Sequence, residues 1–131
     1  MCSSRFGADF RHVQELHRRL LSRAAETPAA DVAAVLNLGA AVLLHGSLEP
    51  THLGVVWSWV DPAVRVELER EHQALAEDLD FLSELVENDP DSEDLLVTTA
   101  ALRTRLTEHI ERDDRTLYAP LARYAELGDE A

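Results

Sequence analysis

The residues with the most chemistry in this chain are four histidines. His17, His45, His72 and His109 fall one each on four predicted helices, each on the apolar face of its helix. Carboxylates follow two of them: Glu49 comes four residues after His45, and Asp113 and Asp114 come four and five after His109. A buried imidazole needs a partner, and so does a buried carboxylate. Side chains four apart on a helix are neighbours on one face, so His45 and Glu49 can address one centre. His109 and Asp113 have the same spacing. Angular arithmetic therefore favours Asp113 over Asp114, and both stay candidates. A metal ion held jointly by these groups supplies the partner each one lacks. Imidazole with carboxylate suits iron, and also manganese or zinc, whereas softer metals want thiolate. A pair of carboxylates among imidazoles is moreover suited to bridging two ions.

Four helices must position these groups. The first is predicted over 6–25, with Phe6, Phe10, Val13, Leu20, Leu21 and Ala24 sharing the face of His17, and Thr27-Pro28 ending it. His12 points the opposite way and reads as solvated. The second starts after Asp31 as N-cap and runs through an apolar stretch to Glu49, where Pro50 should kink or stop it. A shorter segment from His52 to Val60 follows. Asp61-Pro62 opens the third helix, 62–87, whose seam is Leu68, His72, Leu75, Leu79, Leu82 and Val86. A turn over 88–92 leads into the fourth helix, which runs from about 92 to 127, its last turns open to a kink at Pro120. Short links between four helices predict an all-α, up-down-up-down four-helix bundle, one domain over 1–131.

Composition narrows the function. The formal net charge is −13 and all twelve basic residues are arginine. Such a surface disfavours nucleic acid and anionic membranes. No run reaches the ~18 consecutive apolar residues of a membrane span. Cys2 is the only cysteine, so thiolate metal clusters and internal disulfides are excluded. With no apolar leader in the first residues, a reducing cytoplasm is the expected location. There is no glycine-rich phosphate loop, no Cys-x-x-Cys and no nucleophile elbow. Tyr118, near the core side, reads as a packing residue able to support a carboxylate. Trp57 and Trp59 read as packing or partner surface. The run Glu67-Leu-Glu69-Arg70-Glu71 reads as a solvated face, and Arg103, Arg105, Arg112 and Arg115 as partners of neighbouring acids.

Several motifs together resemble the hemerythrin-like (HHE cation-binding) domain family. His109-Ile-Glu-Arg-Asp-Asp-Arg-Thr-Leu-Tyr-Ala-Pro-Leu is similar to that family's last-helix signature. His45-Gly-Ser-Leu-Glu49 is similar to its His-x-x-x-Glu, Glu71-His72 to its third-helix opening, and His17 to its first-helix histidine. The ordered set spans almost the whole chain. The resemblance implies a non-haem iron centre, usually of two irons, that handles dioxygen, nitric oxide, peroxide or iron itself. It implies His17, His45, Glu49, His72, His109 and Asp113 or Asp114 as ligands. Oxygen-carrying members use the acid at the Asp114 position; others use the acid at Asp113.

Two departures set further expectations. Oxygen carriers have a second histidine on the third helix, four residues after the first; here that position is Ala76. Water or His52 would take its place, or the site would be mononuclear. After Glu49, Pro50-Thr51-His52 replaces the family's usual continuation. Sensing, detoxification or iron handling is thereby expected over reversible oxygen carriage. The rival readings are an iron-dependent oxidase or peroxide-consuming enzyme, and a metal-free helical interaction module. The sequence leaves the oligomeric state open.

Overall fold

The computed structural model describes residues 2–130, with the side chains of 2–9, 55 and 125–130 outside that description. Phe6, expected on the first apolar face, is among those outside it. Helix α1 spans Cys2–Glu26, α2 Val32–Leu53, α3 Pro62–Asn88 and α4 Asp94–Asp113. A 3₁₀ segment, Gly54–Trp59, follows α2, and a π turn, Asp114–Tyr118, joins α4 to α5, Ala119–Glu130. No strand occurs among the described residues. Helix α2 packs on α1, α3 and α4, and α1 also meets α4 and α5, an all-helical arrangement compatible with a four-helix bundle.

Local chemistry sets the helix ends. The Asp31 carboxylate accepts from Ala34 N, and that of Asp61 from Ala63 N, so each satisfies an orphan donor of a first turn. Pro62 sits in the first turn of α3, where a missing N–H costs nothing. The turn over 88–92 closes through Ser92 N donating to Asp89 O. At the end of α1, Arg103 donates from Nε and Nη2 to the carbonyls of Thr27 and Ala24. Arg103 thus caps α1 from α4, and no acid pairs with it among the described residues.

Three details of the helices bear on the sequence expectations. Pro50 lies inside α2 and does not end it; it is exposed, and its carbonyl accepts from the N–H of Gly54, whose φ is +58°. The fourth helix is not one run, because the π turn divides it directly before Ala119 and Pro120. Val86, placed on the α3 seam, is 36% exposed. Helix α2 is also long and apolar enough to cross a membrane by length and composition.

The core forms two apolar clusters. One gathers Leu20, Leu38, Val42, Leu75, Leu102 and Leu106; the other gathers Phe10, Val13, Leu53, Leu68, Leu117 and Tyr118. Between them on α1 to α4 lie the chemistry-bearing residues: His17 between Val13 and Leu20, His45 and Glu49 between Val42 and Leu53, His72 between Leu68 and Leu75, His109 and Asp113 between Leu106 and Leu117. The sequence pattern therefore stacks a polar layer between two apolar ones.

Candidate metal centre

The polar layer is buried. His17, Glu49, His109 and Asp113 are each at most 3% exposed, and His45 and His72 are half-buried. The rings are close: His72 and His109 centroids are 4.7 Å apart, and those of His17 and His45 are 5.8 Å apart. His72, His109 and Asp113 each offer a donor atom, and those three atoms lie within 4.8 Å of one another. His109 Nε2 is 3.4 Å from Asp113 Oδ2, the two residues standing four apart on α4.

Glycine makes room for this cluster. A Cβ on Gly46 would collide with the imidazole of His72, so the third-helix ring lies directly against the backbone of α2. Only a residue without a side chain allows that approach. The neighbouring Gly39 plays the same part for Leu79.

The other half of the layer is built around Tyr118. Its hydroxyl donates to Glu49 Oε2 at 2.9 Å and lies 2.8 Å from His45 Nε2. Its ring stacks on His17 with centroids 4.1 Å apart. The π turn explains how it gets there. In an unbroken α-helix, Tyr118 would point about half a turn away from His109. One inserted residue brings it back toward the core.

Burial dominates the electrostatics. Removal from water lowers His17, His45, His72 and His109 to about 4, with neighbouring imidazoles adding to the effect on the first three and Arg112 on His109. All four rings are therefore neutral at pH 7, the protonation state that binds a metal. Burial raises the carboxyls of Glu49 and Asp113, and Glu49 raises Asp113 further. Glu71 and the Tyr118 hydroxyl are also raised by burial.

The layer is short of protein partners. His17 Nδ1 and Nε2, Glu49 Oε1, His72 Nε2, both nitrogens of His109 and Asp113 Oδ1 are buried with no hydrogen bond among the described residues. A native core rarely leaves so many polar atoms unmatched unless they serve a ligand. Nitrogen and carboxylate oxygen at this density fit a borderline or hard transition-metal ion, so the residues present fit the iron expected from the sequence.

The remaining positions separate clearly. Asp113 faces the layer beside His109; the Asp114 side chain is 51% exposed, with Oδ1 3.6 Å from His17 Nε2. Ala76 is half-buried, and His52 is half-buried with Nδ1 unpartnered. His45 and His52 line a cleft of about 270 Å³ between α1 and α2, together with Leu16, Leu20 and Leu44. His12 is exposed. Trp57 packs against the second apolar cluster, whereas Trp59 is 56% exposed, its ring edge-on to Tyr124. Arg105 pairs with Asp78 and Arg112 with Glu71, as a solvated charge network would. Glu71 itself departs from the solvated-face reading. It is 18% exposed, and its Oε2 is 3.3 Å from His109 Nδ1. Its place next to His72 was the available signal, obscured by the surrounding acids.

No protein-family model, curated protein or solved structure matches this chain.

Proposed function

We propose that this chain is a hemerythrin-like, up-down-up-down bundle that binds non-haem iron and uses it to bind or sense dioxygen, nitric oxide or peroxide, or to handle iron itself. The observation that carries this reading is the convergence of His72, His109 and Asp113 in a buried layer whose donor atoms lack protein partners. His72, His109 and Asp113 would hold the first ion. His17, His45 and Glu49 would extend the site toward a second, and Asp114 would contribute from its margin. Bound iron would supply valence change and an open position for a small ligand. The chain's own contributions are separable. Burial keeps the imidazoles neutral, Gly46 admits the His72 ring, and Tyr118 holds Glu49 and His45 in place. The apolar clusters on either side keep bulk water away. A single cysteine and an acidic surface suit a cytoplasmic location.

Element analysis after anaerobic loading with ferrous iron, paired with optical spectra under air, dithionite and nitric oxide, tests the proposal. One or two irons per chain, lost in His109→Ala and retained in His12→Ala, is the expected result. A chain that takes up no metal would be a helical interaction module instead.

The cleft beside His45 favours a second reading, an iron-dependent oxidase or peroxide-consuming enzyme. Its volume of about 270 Å³ admits a small organic molecule next to the layer. Turnover of an organic co-substrate that stops when Leu44→Trp fills the cleft would select this reading.

A further inference from the structure

We propose that Glu71 is a positioning residue for His109: it receives the Nδ1 proton of the ring and so turns the Nε2 lone pair toward Asp113 and His72. The inference rests on the metal-binding reading of the layer and adds to it a residue that the histidine motifs do not contain.

The geometry has three parts. The His109 ring lies between two carboxylates, with Nδ1 3.3 Å from Glu71 Oε2 and Nε2 3.4 Å from Asp113 Oδ2. A neutral imidazole carries one proton, and the nitrogen that keeps it is set by what the other faces. Glu71 is held for the task, because Arg112 pairs with its Oε1 and leaves Oε2, buried and without a hydrogen bond, beside a ring nitrogen that has none either. Of the two carboxylates beside the ring, Glu71 is the one whose other oxygen carries a guanidinium, which favours it as the acceptor and Nδ1 as the N–H.

The sequence builds this by interleaving. Helix α3 supplies Glu71 as support and His72 as donor in adjacent positions. Helix α4 supplies His109 as donor and Arg112 as support, three apart and so on neighbouring faces. The supports face a cleft of about 220 Å³ between α3 and α4, which Glu71, Arg112 and His109 all line. Histidines that bind metals commonly give their second N–H to a carboxylate, which fixes the tautomer and makes the free nitrogen a better donor.

The experiment uses metal-free, ¹⁵N-labelled full-length protein at pH 7.5. Long-range ¹H–¹⁵N spectra read the His109 tautomer, with His109→Gln identifying its signals. The Nδ1–H form is expected in the wild type, a shift toward Nε2–H in Glu71→Ala, and retention of Nδ1–H in Glu71→Gln, which keeps an acceptor oxygen. Cobalt(II) titration should then show affinity falling about 10–100-fold in Glu71→Ala and less in Glu71→Gln. An Nε2–H ring in the wild type, or a tautomer unmoved by both substitutions, overturns the proposal. If the tautomer moves as expected while the wild type takes up no cobalt(II), Glu71 still orients His109 and it is the metal-binding reading that falls. Helicity by circular dichroism checks that Glu71→Gln is folded.

Discussion

The hydroxyl of Tyr118 gives its proton to Glu49 Oε2 at 2.9 Å, and His45 Nε2 lies 2.8 Å from that hydroxyl. With the phenol proton committed to the carboxylate, His45 is the donor to Tyr118. One buried phenol, the last residue of the π turn, therefore satisfies two members of the polar layer on α2.

Tyr118→Phe removes that link without changing the packing volume. Glu49 and His45 each lose a partner, and leaving such groups unmatched costs about 1–3 kcal/mol. The urea midpoint of metal-free Tyr118→Phe should fall accordingly, while binding of a single metal ion at His72, His109 and Asp113 should persist. An unchanged midpoint would mean that the hydrogen bonds contribute nothing net.

Asp113 and Asp114 are adjacent in sequence but differ in environment, so their amide variants should separate. Asp113→Asn is expected to weaken metal binding at least tenfold and Asp114→Asn to leave it nearly intact. Because burial holds the Asp113 carboxyl up at about 9, the fold keeps a proton that the unfolded chain releases, and the metal-free fold loses stability as pH rises from about 4 to 9. Asp113→Asn should therefore be more stable than wild type at pH 8 without metal. Isothermal titration and thermal melts read the two effects. Equal loss of affinity in both variants would count against placing Asp113 in the site.

Gly46→Ala tests the close approach of α2 to His72. Alanine usually improves a helix by about 0.5–1 kcal/mol over glycine. Here the new methyl must push the imidazole aside, and overpacking costs about 1–3 kcal/mol. Stability and metal affinity should fall together. Gly39→Ala, whose Cβ would lie 2.5 Å from Leu79 Cδ2, should lower stability alone. Zinc titrations of both variants provide the comparison.

The metal-free protein should be most stable near neutral pH. The four imidazoles are lowered from 6.5 to about 4, so between those values the unfolded chain binds protons that the folded chain refuses. Stability is lost as pH falls through that window. Glu49, Asp113 and Glu71 are shifted upward and act in the opposite direction, favouring the fold at low pH and opposing it as pH rises. The four imidazoles outnumber the raised carboxyls, so between about pH 4 and 6.5 unfolding takes up protons on balance and acidification destabilises the fold. Above neutrality only the carboxyls remain, and stability should decline again. Denaturant midpoints at pH 5, 7 and 9 would show a maximum at the middle value.

The sequence made the four imidazoles legible because each interrupts an apolar stripe of known period. Asp31, Asp61 and Pro62 were legible for the same reason, since helix starts have local chemical requirements. The π turn was not, because a one-residue insertion in a helix leaves no residue type behind; Asp114–Tyr118 reads as ordinary helix. Tyr118 was still legible near the core side; what stayed hidden is the turn that brings its hydroxyl to Glu49 and His45. Pro50 was misleading, because a proline disrupts a helix by local rules, yet here it is accommodated near the α2 terminus. Gly46 and Glu71 depend on how two helices face each other, information that neither helix carries alone. Asp113 and Asp114 illustrate the same point: the angular argument favoured the first, the family pattern of the oxygen carriers favoured the second, and packing places Asp113 beside His109.

The two apolar clusters stopper the polar layer at both ends of the bundle, so a visiting molecule must come in from the side. The flanks offer a gap beside His45 on one face and a gap beside His109, screened by paired charges, on another. Reagents that enter by these gaps should then be sorted by size and charge before they meet the imidazoles.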